Sequence, residues 1–283
     1  MAVEFVIQDA GQRVVASYRK DRNWLSVMWD SAALRKSIVL LLLCVAWELY
    51  ARHLNNPLLF PSLSDTALSL VENVASGRLP ARAAASLWVL LTGYALGVAI
   101  AFLLTVFAIT TRIGTDLLET LTAMLNPLPA IALLPLALIW FGLGNASLIF
   151  VLVHSVLWVV ALNTLGGFRS VSQTLRMVGR NYGLGGLAFV GKILIPAAFP
   201  SILTGLKIGW AFAWRTLIAA ELVFGAASGQ GGLGWFIFES RNTLDIPGVF
   251  AGLLTVIIIG LMVDVIVFRT VERMTLDRWG MRS

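Results

Sequence analysis

Two stretches without a charged side chain constrain this chain more than any other feature. Neither the segment between Arg82 and Arg112 nor that between Glu119 and Arg169 contains Asp, Glu, Lys or Arg. A helix needs about 20 mostly apolar residues to cross the hydrocarbon core of a bilayer. The first stretch suits one tilted span. The second is too long for one, and Gly142-Leu-Gly-Asn-Ala-Ser147 divides it into a third and a fourth. Further apolar runs cover Ser37 to about His53, Pro200 to about Gly225 and Ile246 to Phe268. Together they predict an all-α, polytopic membrane protein with six transmembrane helices over residues 35–283, preceded by a tail over residues 1–34. With 58% apolar and 13% charged residues, a soluble surface could not be covered; ordinary globular proteins carry about 25% charge.

The basic residues choose the orientation. Of 21 Lys and Arg, Arg52, Arg78, Arg82 and Arg241 fall on segments of one side, while Lys207 and Arg215 lie within a span. The rest cluster on the other side with both termini, which the positive-inside tendency assigns to the cytoplasm. The net charge of +6 therefore points to a lipid bilayer as partner, the cytoplasmic membrane of a bacterium, and not to nucleic acid, whose binders gather charge in one patch. No signal-peptide pattern opens the chain. Trp24, Leu25, Met28 and Trp29 suggest a short interfacial helix, or else the tail is mobile. The single cysteine, Cys44, excludes an intrachain disulfide or cysteine metal cluster.

Two connections read as structured. Pro61 to Gly77 has Ser62 and Ser64 as caps and helical apolar spacing at Leu63, Ala67, Leu70, Val71 and Val74, so a helix is expected on the outer face. Residues 170–196 form the longest inner connection. There a helix over 173–183, capped by Ser172, would set Leu175, Val178 and Tyr182 on one face and Arg176 and Arg180 on another, ending at Gly183.

Nucleotide and catalytic signatures are weak. Gly186-Leu-Ala-Phe-Val-Gly191-Lys192-Ile193 approaches a phosphate-binding loop, but the final position lacks the hydroxyl that would meet magnesium and no strand precedes it. Gly229-Gln-Gly231-Gly232-Leu-Gly234 has dinucleotide-fingerprint spacing outside any βαβ context and suits a turn better. His154 and Ser155 are adjacent, hence about 100° apart on a helix, and cannot pair as base and nucleophile. No catalytic residue, metal site or resident cofactor is therefore expected. His154 is either packed or part of a pathway. Gly93/Gly97 and Gly205/Gly209 would allow helices to approach closely, and Pro127, Pro129 and Pro135 should bend or break the third span.

The inner connection carries a resemblance. Permeases of binding-protein-dependent ABC importers share E-A-A-x-x-x-G, nine residues, then I-x-L-P. Here Gly183 takes the glycine, Ile193 the isoleucine and Ile195-Pro196 the final pair, while Met177, Val178 and Gly179 replace E-A-A. Pro129 to Gly142, Ala213 to Glu221 and Gly231-Gly-Leu-Gly234 are similar to stretches of the nitrate, sulfonate, taurine and bicarbonate group. The resemblance implies a type I importer fold and a second permease copy. It also implies two cytoplasmic ATPase subunits that bind the ATP, and a periplasmic binding protein that delivers a small, anionic solute. Met177, Val178, Gly179, Arg180, Gly183 and Pro196 would then form the ATPase-coupling surface. Pathway candidates are Arg215, Glu221, His154 and Pro129, with Arg215 facing either the pathway or a structural partner on another helix. The alternative is a secondary transporter or channel without an ATPase, whose relay could use only Glu221 and Asp264.

Overall fold

The computed structural model describes residues 31–224 and 231–277. The proposed tail helix at Trp24–Trp29 and the Gly229-Gln half of the glycine-rich turn lie outside them. Within the described residues every regular element is helical. They are α1 (Ala32–Leu54), α2 (Leu63–Ala75), α3 (Arg78–Thr110), α4 (Arg112–Leu125), α5 (Leu134–Phe141) and α6 (Asn145–Ser170). After them come α7 (Gln173–Asn181), α8 (Gly186–Ala197), α9 (Phe199–Phe224), α10 (Leu233–Asn242) and α11 (Ile246–Thr275).

The charge-free stretches end where the sequence breaks them. Gly142 adopts φ +75°, and the Ser147 hydroxyl donates to the carbonyls of Gly142 (2.6 Å) and Ala137 (3.1 Å). That serine ties the end of α5 to the start of α6, using carbonyls that a helix C-terminus leaves unpaired. The third span is not a continuous rod. Helix α4 starts at Arg112, directly after α3, and Asn126 to Pro129 interrupts it. A 3₁₀ turn at Ala130–Leu133 then leads into α5, at 88° to α4. Pro127 and Pro129 cannot donate backbone hydrogen bonds, so the ladder stops there. A second bend of 77° separates α8 from α9 between Pro196 and Pro200.

By length and composition α3, α6 and α11 can each cross a membrane, or five segments can if each bent pair counts as one. Helix α6 lies at the centre: 56% of its most apolar stretch is buried, against 11% for α11. On one flank, Cβ atoms at Gly93 and Gly97 of α3 would come within 2.7 Å of Leu152 and 2.9 Å of Val156. On the other, those at Gly205 and Gly209 of α9 would meet Asn163 at 2.7 Å and Val160 at 3.1 Å. Both glycine pairs thus clasp one helix. Lipid tails are as apolar as Leu, so such close van der Waals contact, more than hydrophobic burial, holds spanning helices together.

Helix α2 forms where the sequence places it and turns polar residues inward. Ser62 caps it as the sequence indicates, accepting from the Asp65 amide. The face that packs inward, however, is Thr66, Ser69 and Asn73, while Leu68, Val71 and Val74 point outward. A periodic apolar stripe marks the buried face only when water is the surrounding solvent.

Candidate functional site

The break between α4 and α5 creates a cavity. It has a volume of about 590 Å³, lies between residues 126–131, α6 and α9, and is lined by Pro129, His154, Trp158 and Arg215 among others. Three of the four pathway candidates from sequence thus share one site. Pro129 belongs to the interruption itself. His154 and Trp158 are one turn apart on α6, their rings 6.1 Å apart and edge-on. Arg215 projects from α9 and stacks on Phe212, with its guanidinium carbon 4.9 Å from the ring centre.

Arg215 brings donors with capacity to spare to this cavity, whose polar lining also includes Asn126, Ser155, Asn163 and Thr216. Arg215 Nε donates to the Ala211 carbonyl at 2.9 Å, and among the described residues no carboxylate pairs with the two terminal amino groups. The ring nitrogens of His154 are buried and have the Leu125 backbone as a hydrogen-bonding neighbour, whereas the indole N–H of Trp158 is buried without a hydrogen-bond partner. Native structures rarely leave such groups unpaired, and each calls for an explanation. No Asp or Glu lines the cavity, so its fixed charge is positive.

Glu221 is elsewhere. It lies about two turns along α9 from Arg215 and around the helix, 3% exposed, and accepts from the Ser86 hydroxyl of α3 at 2.8 Å and the Gly234 amide at 2.8 Å. Ser86 Oγ in turn accepts from the Leu233 amide at 2.9 Å. The carboxylate and the hydroxyl thereby satisfy two of the free N–H groups opening α10, at the electropositive end of that helix. Gly232 sits against both: a Cβ there would stand 2.1 Å from Glu221 Oε1 and 2.1 Å from Ser86 Oγ. The glycine-rich turn is therefore a tight seat for a buried carboxylate. Arg82 and Glu239 close the same end of the fold, 3.4 Å apart. Asp264, the other relay candidate, pairs with Lys207 at 3.0 Å. Neither acid faces the cavity.

The inner connection folds as its spacing predicts, with one change. Ser172 accepts from the Leu175 amide and starts α7. Gly183, at φ +73°, ends it with paired bonds from Leu184 N to Gly179 O and from Gly183 N to Arg180 O, the reciprocal pattern that satisfies terminal carbonyls. Arg176 turns back to donate to the Phe168 and Val171 carbonyls at the end of α6. Met177, Val178, Arg180 and Tyr182 are exposed, Tyr182 the most at 82%. Gly179 is buried, and its close approach is to this chain's own α8: a Cβ would stand 2.9 Å from Phe189 and 3.0 Å from Ile193. A larger residue would strike α8 before meeting a partner. The segment Gly186 to Ile193, which resembles a phosphate loop in spelling, is helical and joins Pro196 at the 77° bend.

Sequence reasoning missed Trp158 and Ser86. Trp158 follows His154 by four positions, so helical spacing from that histidine would have reached it. Ser86 offers no local signal, because its partners are remote in the chain.

Comparison with known proteins gives this arrangement a context. The family described as binding-protein-dependent transport system inner membrane component matches residues 93–276, a stretch containing the cavity, α7 and, of the Glu221 seat, all but Ser86. A putative ABC transporter permease of Methanocaldococcus jannaschii is 32% identical over 224 residues, spanning 78% of this chain and 83% of the relative. A putative aliphatic sulfonates transport permease of Escherichia coli is 32% identical, covering 73% and 76% respectively. A nitrate import permease of Synechocystis is 28% identical, covering 87% and 90%.

Proposed function

The chain belongs to the inner membrane components of binding-protein-dependent transport systems, the membrane-spanning subunits of ABC importers, and from that premise we propose that solute crosses through the cavity between α6, α9 and the α4–α5 break. The observation that carries this reading is Arg215: a guanidinium with two free amino groups, beside His154 and Pro129, in a cavity with no carboxylate. Charge inside a span costs about 2.5–3.5 kcal/mol on insertion scales and is kept where it faces a partner or a pathway. A small anion supplied by a periplasmic binding protein would complete the charge-assisted bonds. The names of the sulfonate and nitrate relatives agree with an anionic solute.

In this reading α1 adds a sixth span. Its 23 residues reach about 34 Å at 1.5 Å per residue, and its middle, Val39 to Leu43, is exposed. Both termini and residues 170–196 face the cytoplasm. Two copies of the chain would enclose the pathway, with two ATPase subunits below. The docking surface on each ATPase would meet Met177, Val178, Arg180 and Tyr182, with Gly183 and Pro196 setting the angle of the loop. Because Met177 stands where relatives of this pattern have glutamate, that contact should depend on packing.

Purified with its ATPase subunits and supplied with its binding protein, the wild type should take up solute into proteoliposomes in an ATP-dependent way. Arg215→Gln should assemble normally and import about 10- to 100-fold more slowly, the loss of one charge-assisted bond. Normal uptake by that variant would remove the cavity from the pathway. Tyr182→Ala combined with Met177→Ala should lose ATPase co-purification; unchanged co-purification would move the docking site. Arg180→Cys on a Cys44→Ala background should react with impermeant reagents only from the inside.

A further inference from the structure

Away from the cavity, charge gathers again where the apolar run of α11 ends. Lys207 of α9 and Asp264, Arg269, Glu272 and Arg273 of α11 line a hollow of about 540 Å³. Both of its acids are committed to the lysine: Asp264 and Glu272 stand 3.0 and 3.7 Å from the Lys207 ammonium. Arg269 and Arg273 are exposed, and among the described residues no carboxylate lies within ion-pair distance of either guanidinium. Three cations against two acids leave the hollow positive, and the uncommitted charge sits on the two arginines.

The surface beside it is of the opposite kind. Leu261, Met262, Val265 and Ile266, within two turns or so of Arg269, are all exposed, and only 11% of the most apolar stretch of α11 is buried. In a membrane-spanning chain an open apolar surface of this sort meets acyl chains, which are as apolar as the side chains themselves. The arginines follow where that surface stops, at the depth of the lipid head groups. Lys207 and Asp264, which lie further in, neutralise each other.

A guanidinium holds a phosphate through parallel charge-assisted bonds, and basic pockets between spanning helices on the cytoplasmic side take anionic lipid head groups. The space suffices: a water molecule takes roughly 30 Å³, so 540 Å³ admits a phosphodiester with its glycerol units. A soluble phosphate would meet the charge but leave the adjoining apolar surface unused. We infer that the hollow between α9 and α11 holds the head group of an anionic phospholipid, its phosphate on Arg269 and Arg273 and its acyl chains along the exposed side of α11. The choice of leaflet rests on the orientation proposed above; the site itself does not depend on what passes through the cavity.

The test uses the permease purified with its ATPase subunits and exchanged into micelles holding equal amounts of phosphatidylglycerol and phosphatidylcholine of the same chain length. Native mass spectrometry then counts the lipids retained. The wild type should keep phosphatidylglycerol in preference to phosphatidylcholine by roughly 10- to 30-fold, the combined pull of two guanidinium groups. Arg269→Gln combined with Arg273→Gln should bring that preference below about threefold. Both side chains are exposed, so the double variant should assemble as the wild type does. Arg112→Gln, at an exposed arginine elsewhere on the same side of the membrane, should leave the preference unchanged, and a large excess of glycerol 3-phosphate should not displace the lipid. Equal retention of the two lipids would overturn the inference. So would a double variant with the wild-type preference, an Arg112→Gln variant that loses it as fully, or displacement by glycerol 3-phosphate. Failure of ATP-dependent uptake would instead strike the importer reading and leave the lipid count as it stands.

Discussion

Arg215 and Glu221 lie about two turns apart on α9, and each is a charged side chain in an apolar helix. Glu221 is buried, holds a serine of α3 and an amide of α10, and leaves a glycine no room for a Cβ. Arg215 is exposed to a cavity, leans on Phe212 and keeps two amino groups uncommitted. An ionisable group inside a membrane is by default a hint of function. The contrast supplies the criterion that sorts such hints: a group whose bonding capacity is filled by the fold is a structural fastening, whereas one with capacity left over, aimed into open space, is available to a ligand.

If that criterion holds, substitutions around these two side chains should separate stability from transport. Glu221→Ala should have the largest effect on stability, about 3–5 kcal/mol, because it strands the Ser86 hydroxyl and the Gly234 amide in a buried site. It should appear as a large fall in the thermal midpoint of the purified complex, or as failure to accumulate in the membrane. A variant as stable as wild type would erase the distinction. Gly232→Ala should follow at about 1–3 kcal/mol, since its methyl group must displace Glu221 or Ser86; the same melting measurement checks it. Glu239→Gln, at the half-exposed Arg82 contact, should cost about 1 kcal/mol or less. Arg215→Gln should move the midpoint least, within about 0.5 kcal/mol, and yet slow uptake the most relative to its effect on stability. A destabilised Arg215→Gln would mean that this arginine, too, is a fastening.

Much of the fold was legible because membrane helices obey few local rules. Uncharged stretches gave α3 and α6, and an apolar run gave α11; Gly142 and Ser147 marked a boundary; Ser62 and Ser172 marked helix starts; and Gly183 marked an end. Both glycine pairs were visible as small residues one turn apart. The site was legible in part. Arg215, His154 and Pro129 were each singled out by being costly or irregular inside a span, and they do share a cavity. Glu221 was singled out by the same rule and belongs to a different place. Gly179 was placed on the ATPase-coupling surface, and it is buried against Phe189 and Ile193 of the same chain. The buried face of α2 was not legible, because apolar periodicity alone does not say which side of a membrane-protein helix packs inward.

What the sequence determined by itself is therefore local: which segments are helices, where they start and stop, and, through the distribution of Lys and Arg, the orientation it predicts. These depend on side-chain charge, capping and backbone freedom, which act over a turn or two and need no knowledge of the rest of the chain. Only the tertiary structure decided the partners. The match of Ser86 to Glu221 and the placing of Trp158 and Arg215 around one cavity join segments far apart in the chain, and the 88° turn that opens the cavity exists only in the folded path. Such contacts are set by how closely glycine faces let α3 and α9 pack on α6, and no stretch of sequence contains that distance.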